Sequence, residues 1–189
     1  MSLDSVKRDK EKIRREIKEK LKGLARSSRE EWSRRIQEKF ISSEGFKVAD
    51  VIMTYVALPT EVDTEYLIKT SLEMGKKVVV PFIDNEHHVI IASELRSISD
   101  LEKGPYDISV PKNGPIKVCL KEIDIIVVPG IAFDKKNMRL GRGKGYYDRF
   151  LALPELSSSN TVGFAYGFQI VDHLPSDPHD KAVSAVLTE

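Results

Sequence analysis

Apolar residues at Leu3, Val6, Ile13, Ile17, Leu21 and Leu24 recur at spacings of three, four or their sum, which predicts an amphipathic helix, and Gly23 supplies a stop near its end. Ser28 followed by Glu31 has the pattern of a capping box and predicts a second helix whose apolar side is Trp32, Ile36 and Phe40. After the turn residues SSEG the period changes. VADVIMTYVAL is an apolar run of the kind found in strands covered on both faces. PTEVDTEYLIKTSLEMG reads as a loop and a helix ended by Gly75, KKVVVPFI as a second buried strand, and HHVIIASEL as a shorter third one beyond the turn residues DN. Strand, helix, strand in that order argues for a parallel sheet covered by helices.

Residues 97–121, including KGPYDISVPKNGP, are rich in Pro, Gly and Ser. They read as a surface connection, because proline cannot serve a central strand. IDIIVVPGIAF is the most strand-like run and is expected to deliver the glycine-rich segment behind it directly; TVGFAYGFQIVDHLP and KAVSAVLTE are expected to supply the last two strands. No internal repeat or low-complexity tract interrupts the order. At 189 residues the chain is expected to form a single domain over 1–189, with 1–44 as helices packed on an α/β core.

Composition narrows the class without naming it. A hydrophobic fraction of 41% with 31% charged residues is ordinary for a globular protein. No apolar run approaches the roughly 20 residues of a membrane helix, and the charged N-terminal stretch lacks the apolar core of a secretory signal, so a cytoplasmic location and no membrane partner are expected. Cys119 is the one cysteine, which excludes an intrachain disulfide and a cysteine metal cluster, and its neighbours Val118 and Leu120 predict a packed thiol. Charge is uneven: residues 1–40 hold 14 Lys or Arg against 8 Asp or Glu, although the whole chain carries only +1. The N-terminal segment is therefore either a solvated helix pair or a surface that meets an anion.

Residues 139–150, RLGRGKGYYDRF, are where chemistry concentrates. Glycines at every second position allow positive φ and close approach, so successive backbone N–H groups can surround an anion. Arg139, Arg142 and Lys144 add charge-assisted donors. Asp148 would be misplaced in a purely anion-binding loop unless a cation such as magnesium bridges it to phosphates. A Walker loop is excluded because Gly145 follows Lys144, and the dinucleotide fingerprint is excluded because the spacing is GxGxG. Two readings stay open on the residues alone, a nucleotide-phosphate site and an RNA-backbone contact with tyrosines stacking on bases. A net charge near zero weighs against nucleic acid. His87, His88, His173 and His179 show no metal-ligand spacing, and no serine stands in GxSxG.

VVPGIAFDKKNMRLGRGKGYYDRFL resembles the signature of the 5-formyltetrahydrofolate cyclo-ligase (5,10-methenyltetrahydrofolate synthetase) family. The segment Lys10–Arg14, the stretch PTEVDT and the C-terminal DPHDKAVSAVLTE extend the resemblance over nearly the whole chain. It implies an α/β three-layer fold around a mainly parallel sheet. It also implies an ATP- and magnesium-dependent closure of 5-formyltetrahydrofolate to 5,10-methenyltetrahydrofolate, with ADP and phosphate released through an iminium phosphate. Another phosphate-handling α/β enzyme, such as a kinase or a sugar-phosphate isomerase, and an RNA-binding module remain as rival classes.

Position by position, the resemblance assigns ATP contacts to Lys10, Arg14, Arg139, Leu140, Gly141, Arg142, Gly143, Lys144, Gly145, Tyr146 and Tyr147. Folate contacts fall on Val56, Glu61 and Arg142 through Tyr146, and catalysis on Arg142, Lys144 and Tyr146. Asp148 matches a magnesium-associated position; a second family aspartate falls on Ser184, which leaves Asp180 as the candidate helper. Asn137 and Met138 stand where the family often has a glycine turn, and Asn tolerates positive φ. The implied partners are small molecules, and a monomer is expected. For Lys10 and Arg14 to share an anion with the glycine loop, the first helix must fold back over the sheet end that carries it.

Overall fold

The structure, a computed structural model, describes residues 3–104, 109–177 and 179–189, with side chains from Ser5 onward. Leu3 of the first apolar stripe, Pro105–Ile108 of the 97–121 connection and Pro178 of the DPHD motif lie outside the described side chains. Three helices come first: α1 (Leu3–Gly23), α2 (Arg26–Ile41) and α3 (Glu44–Val48). Then follow β1 (Val51–Met53), α4 (Glu65–Glu73), β2 (Lys77–Asp84), β3 (Val89–Leu95), β4 (Leu101–Lys103), β5 (Ser109–Pro111) and β6 (Ile125–Val128). The chain continues through β7 (Ala132–Asp134), β8 (Arg139–Leu140), α5 (Tyr146–Leu151), β9 (Asn160–Phe164), β10 (Ile170–Val171) and β11 (Ala185–Leu187).

Six strands form the central sheet in the order β11-β9-β6-β1-β2-β3. Every pair is parallel except β2 with β3, which run antiparallel from Val78↔Leu95 to Asp84↔Val89. From β1 the chain moves through α4 to β2 on one side, and from β6 it moves to β9 and β11 on the other. The direction of winding therefore reverses between β1 and β6, and in open α/β sheets ligands bind beyond the carboxyl ends of the strands at such a point.

Strands covered on both faces explain the continuous apolar runs. Ile52, Ile125, Val127 and Phe164 pack with Ile17 and Leu21 of α1, Ile36 and Phe40 of α2 and Leu67 of α4. The alternate residues Val51, Met53, Ile126 and Val128 pack with Phe150 of α5 and Leu156 on the other face. Burying each such side chain is worth about 1.5–3 kcal/mol, so both helical layers are held chiefly by this contact. Phe40 meets Phe46 and Phe164 edge-on, with ring centroids 5.5 and 5.3 Å away, and so locks α2 and α3 to the sheet.

Local chemistry explains the departures from the expected elements. The second helix starts at Arg26 with Ala25 as N-cap, not at a Ser28–Glu31 capping box. Its start is set by the junction with α1, where Arg29 Nη2 donates to Leu21 O at 2.8 Å and Arg29 N to Ala25 O at 3.0 Å. Gly23 and Gly75 stand at helix ends as expected, Gly75 at φ 74° just beyond α4. The 97–121 connection holds a small hairpin, β4 with β5, in which Pro111 is tolerated because the pair stands apart from the central sheet. Cys119 is exposed, not packed, because it caps the short 3₁₀ turn Leu120–Glu122.

The glycine segment is not delivered directly by β6. Pro129 and Gly130 end β6, and a hairpin of β7 and β8 intervenes, extended into a three-stranded sheet by β10. The expected strand in TVGFAYGFQIVDHLP is correspondingly two, β9 and β10, separated by the 3₁₀ turn Gly167–Gln169. Asn137 takes φ 60° in the β7–β8 turn, where Asp134 Oδ1 accepts from the N–H groups of Lys136 (2.8 Å) and Met138 (3.0 Å).

Candidate functional site

The segment after β1 folds on itself and presents a carboxylate at the switch point. Tyr55 OH donates to Val62 O at 2.8 Å and Thr64 Oγ1 to Tyr55 O at 2.7 Å, closing the loop at its base. At its tip Glu61 N donates to Leu58 O, and Leu58 N returns a bond to Glu61 Oε2 at 3.0 Å. Glu61 therefore lies outside α4 and is not an N-terminal helix charge. Its Oε1 accepts from Arg142 Nε at 3.1 Å and Nη2 at 3.0 Å, which brings two sequence-predicted residues together across 81 positions. Val56 packs instead against the cluster of Ile68, Val78, Val80 and Leu95.

Residues 141–145 leave β8 and enter α5. Gly143 at φ 97° and Gly145 at φ 68°, the N-cap of α5, use the left-handed freedom that the sequence suggested. Gly141 needs its missing Cβ for another reason: a methyl there would lie 2.7 Å from Arg139 Nη1. Arg139 forms the floor of the loop. Its side chain is 3% exposed, Nη2 donates to Asp148 Oδ1 at 2.6 Å and Nη1 to Pro129 O at 3.3 Å, beneath the end of β6. Leu140 is buried beside it in the core. Arg149 closes the far side, donating to His88 O at 2.8 Å and Lys144 O at 3.2 Å and standing 5.4 Å over the Tyr146 ring.

Two buried polar atoms under this loop have no hydrogen-bond partner among the described residues, Arg139 Nε and Tyr147 OH. The two side chains adjoin, with the Arg139 guanidinium 5.6 Å from the Tyr147 ring centre. Burial, reinforced by the charge of Glu61, pushes the Tyr147 phenol upward, so it stays a neutral donor.

The first helix does fold back over this end of the sheet. Arg14 Nε donates to Gly141 O at 2.9 Å, its Nη1 to Glu11 Oε1 at 2.5 Å, and its guanidinium carbon would lie 3.5 Å from a methyl placed on Gly143. One turn earlier Lys10 is 8% exposed, with its ammonium 2.7 Å from Asp177 Oδ2 and 2.5 Å from Asp180 Oδ2. Burial pulls Lys10 down, but hydrogen bonds and attraction from the two carboxylates outweigh it and hold the group above its ordinary value, so it is charged at neutral pH. Lys10, Arg14, Arg139 and Arg142 thus gather at the end of the sheet that carries the glycine loop, each paired with a carboxylate, with α5 following the loop. The arrangement suits a polyanion with an apolar body beside it.

The two candidate metal ligands are not brought into one cluster. Asp148 is paired with Arg139 and Asp180 with Lys10, and among the described residues no three His, Cys, Asp or Glu side chains are placed to hold an ion. Ser184 accepts from Thr161 N at 3.2 Å, where β9 and β11 begin, at the opposite end of the strands from Pro129 and Glu61. It clips two strands together. Asp148 by itself still fits magnesium, which is commonly bound through one or two carboxylates plus the phosphates of a nucleotide. Asp180, whose Oδ2 already accepts from Lys10 and from Asp177 N, does not fit that role.

Sequence reasoning missed Asp177 and Arg149. Asp177 stands three residues before Asp180, a spacing that favours a local side-chain to backbone bond, and Arg149 follows the tyrosines of the loop; those were the available signals. Among the described residues no helix is long and apolar enough to cross a membrane.

A model of the 5-formyltetrahydrofolate cyclo-ligase family matches residues 6–189. The chain is 30% identical to a Mus musculus protein named 5-formyltetrahydrofolate cyclo-ligase, over all of this chain and 98% of that one. It is 27% identical to the Escherichia coli K12 protein of the same name, over 91% of this chain and 96% of the other. Among solved structures, the Aquifex aeolicus 5,10-methenyltetrahydrofolate synthetase superposes with a TM-score of 0.81 at 31% identity, covering 94% of this chain and 88% of that one.

Proposed function

The chain belongs to the 5-formyltetrahydrofolate cyclo-ligase family, and on that premise we propose that it uses magnesium-ATP to close 5-formyltetrahydrofolate to 5,10-methenyltetrahydrofolate, releasing ADP and phosphate. The observation that carries the ATP half of this reading is the contact of Arg14 Nε with Gly141 O at 2.9 Å. It sets the cationic face of the first helix against a glycine loop 127 positions away. Cationic side chains gathered around a glycine turn are the donors that triphosphate oxygens require.

The chemistry asks for positioning and charge neutralisation. A formyl oxygen is a poor leaving group; when it attacks the γ-phosphorus, ADP leaves and the oxygen becomes part of an iminium phosphate. N10 of the folate then attacks the formyl carbon, the C–O bond breaks, phosphate departs and N10 gives up its proton. In this reading Arg14, Arg142 and Lys144 neutralise phosphate oxygens through both steps, and the left-handed turn at Gly143 lets backbone N–H groups do the same. Glu61, a carboxylate beside Arg142, suits the N–H donors of a pterin ring. Magnesium, held through Asp148 and the phosphates, would add neutralising charge on the leaving ADP.

Mixing the protein with 5-formyltetrahydrofolate and magnesium-ATP should produce the methenyl chromophore together with ADP in equal amounts. ADP without the chromophore would favour a kinase acting on another substrate. Neither product would remove the assignment.

A further inference from the structure

Resting on the reading that Lys10 contacts the nucleotide, we propose that Asp177 and Asp180 are positioning residues that hold the Lys10 ammonium toward the phosphates, and that Asp180 is not a magnesium ligand. An ammonium has three N–H donors. Two are directed at Asp177 Oδ2 (2.7 Å) and Asp180 Oδ2 (2.5 Å), which leaves one for an anion. The two carboxylates are fixed to each other as well, because Asp177 N donates to Asp180 Oδ2 at 2.7 Å. They sit on the connection from β10 to β11, so α1 is pinned at two points one turn apart, by this pair at Lys10 and by Gly141 O at Arg14. A long flexible side chain would otherwise lose much of its rotamer freedom on meeting a phosphate, and the pair removes that freedom beforehand.

The same geometry argues against metal at Asp180. Magnesium binds carboxylate oxygens at roughly 2.0–2.1 Å, and an ion at Asp180 Oδ2 would face the Lys10 ammonium across that one oxygen. Asp180 Oδ2 already accepts two bonds, from Lys10 and from Asp177 N, whereas among the described residues Asp148 accepts one, from Arg139.

The sign of the effect separates positioning from simple electrostatics. Removing a negative charge near a phosphate site would by itself strengthen anion binding, whereas loss of positioning weakens it. Affinity for a non-hydrolysable ATP analogue, measured without folate, should fall roughly tenfold in Asp177→Asn, and Asp177→Glu should recover part of the loss. In a Lys10→Met background Asp177→Asn should have no further effect, since its influence passes through Lys10. The KM for ATP should rise while that for the folate stays within about twofold. Asp180→Asn should leave the half-saturating magnesium concentration unchanged, while Asp148→Asn raises it.

Unchanged or tighter analogue binding in Asp177→Asn, an equal loss in the Lys10→Met background, or a magnesium requirement in Asp180→Asn matching that of Asp148→Asn would each overturn the proposal. Should Asp177→Asn not fold, the same cycle with Asp180→Asn decides it. A wild-type protein that makes no methenyl product would defeat the functional reading. A productive wild type with a normally binding Asp177→Asn would defeat this inference alone.

Discussion

Arg139 in β8 and Arg142 in the loop behind it stand three positions apart with the same charge, yet the structure treats them in opposite ways. Arg139 has a side chain 3% exposed, lies under Gly141 and is held by Asp148 and Pro129 O. Arg142 has a side chain 46% exposed and leans across the cleft to Glu61. The first cation is committed to the fold, because its own guanidinium is buried and held by Asp148 and Pro129 O. The second keeps about half of its side chain in solvent, so it can turn from Glu61 toward a ligand while staying hydrated, and Glu61, 14% exposed, is then left to meet a donor of its own. One short segment therefore divides its positive charge into a floor that sets the shape and a rim that does the binding.

The sharpest way to break this division is Arg139→Ala. It should destabilise the protein by about 1–3 kcal/mol, the cost of losing a charge-assisted hydrogen bond to a partly buried carboxylate, visible as a lowered denaturation midpoint in urea. An unchanged midpoint would move Arg139 to the rim. Next comes Lys144→Ala, a substitution on the exposed rim, which should lower kcat/KM by about a hundredfold while the melting temperature holds. A melting temperature that fell with the activity would make Lys144 part of the floor.

Glu61→Gln is smaller in effect and sharpens the comparison from the other side of the cleft. It should weaken folate binding by about tenfold while ATP affinity changes less than twofold. Equal losses for both ligands would mean that Glu61 acts mainly by holding Arg142. The smallest effect is predicted at Cys119, which belongs to neither floor nor rim. Because the thiol is exposed, Cys119→Ser should shift stability by no more than about 0.5 kcal/mol in denaturant unfolding.

The same division explains what could be read from the sequence. The strands β1, β2 and β6 are buried on both faces, so their apolar runs are long enough to stand out, and the parallel sheet with its helical cover follows from them. The glycine loop announced itself through residue types that only an anion-binding turn requires. Lys10 and Arg14 also left a trace, as cations on the face of α1 that buries Val6, Ile17 and Leu21. The hairpin of β7 and β8 was hidden because its strands are three and two residues long, too short to show a period.

Pairings across the chain were hidden for a different reason. Lys10 meets Asp177 across 167 positions and Arg139 meets Asp148 across nine, and no spacing rule encodes either. The start of α2 was misplaced because a Ser-x-x-Glu pattern describes a favourable cap, while the junction with α1 decides where the helix begins. Cys119 was misjudged from apolar neighbours, Val118 and Leu120, that are themselves only partly covered in a turn.

The central claim is that the first helix and the glycine loop hold one and the same anion, the phosphates of ATP. It is tested most directly by measuring KM for both substrates in the double variant Lys10→Ala with Arg14→Ala at low ionic strength, where screening is weakest. The account predicts that KM for ATP rises by about tenfold or more while KM for 5-formyltetrahydrofolate stays within about twofold. A rise confined to the folate, or an equal rise for both substrates, would contradict it.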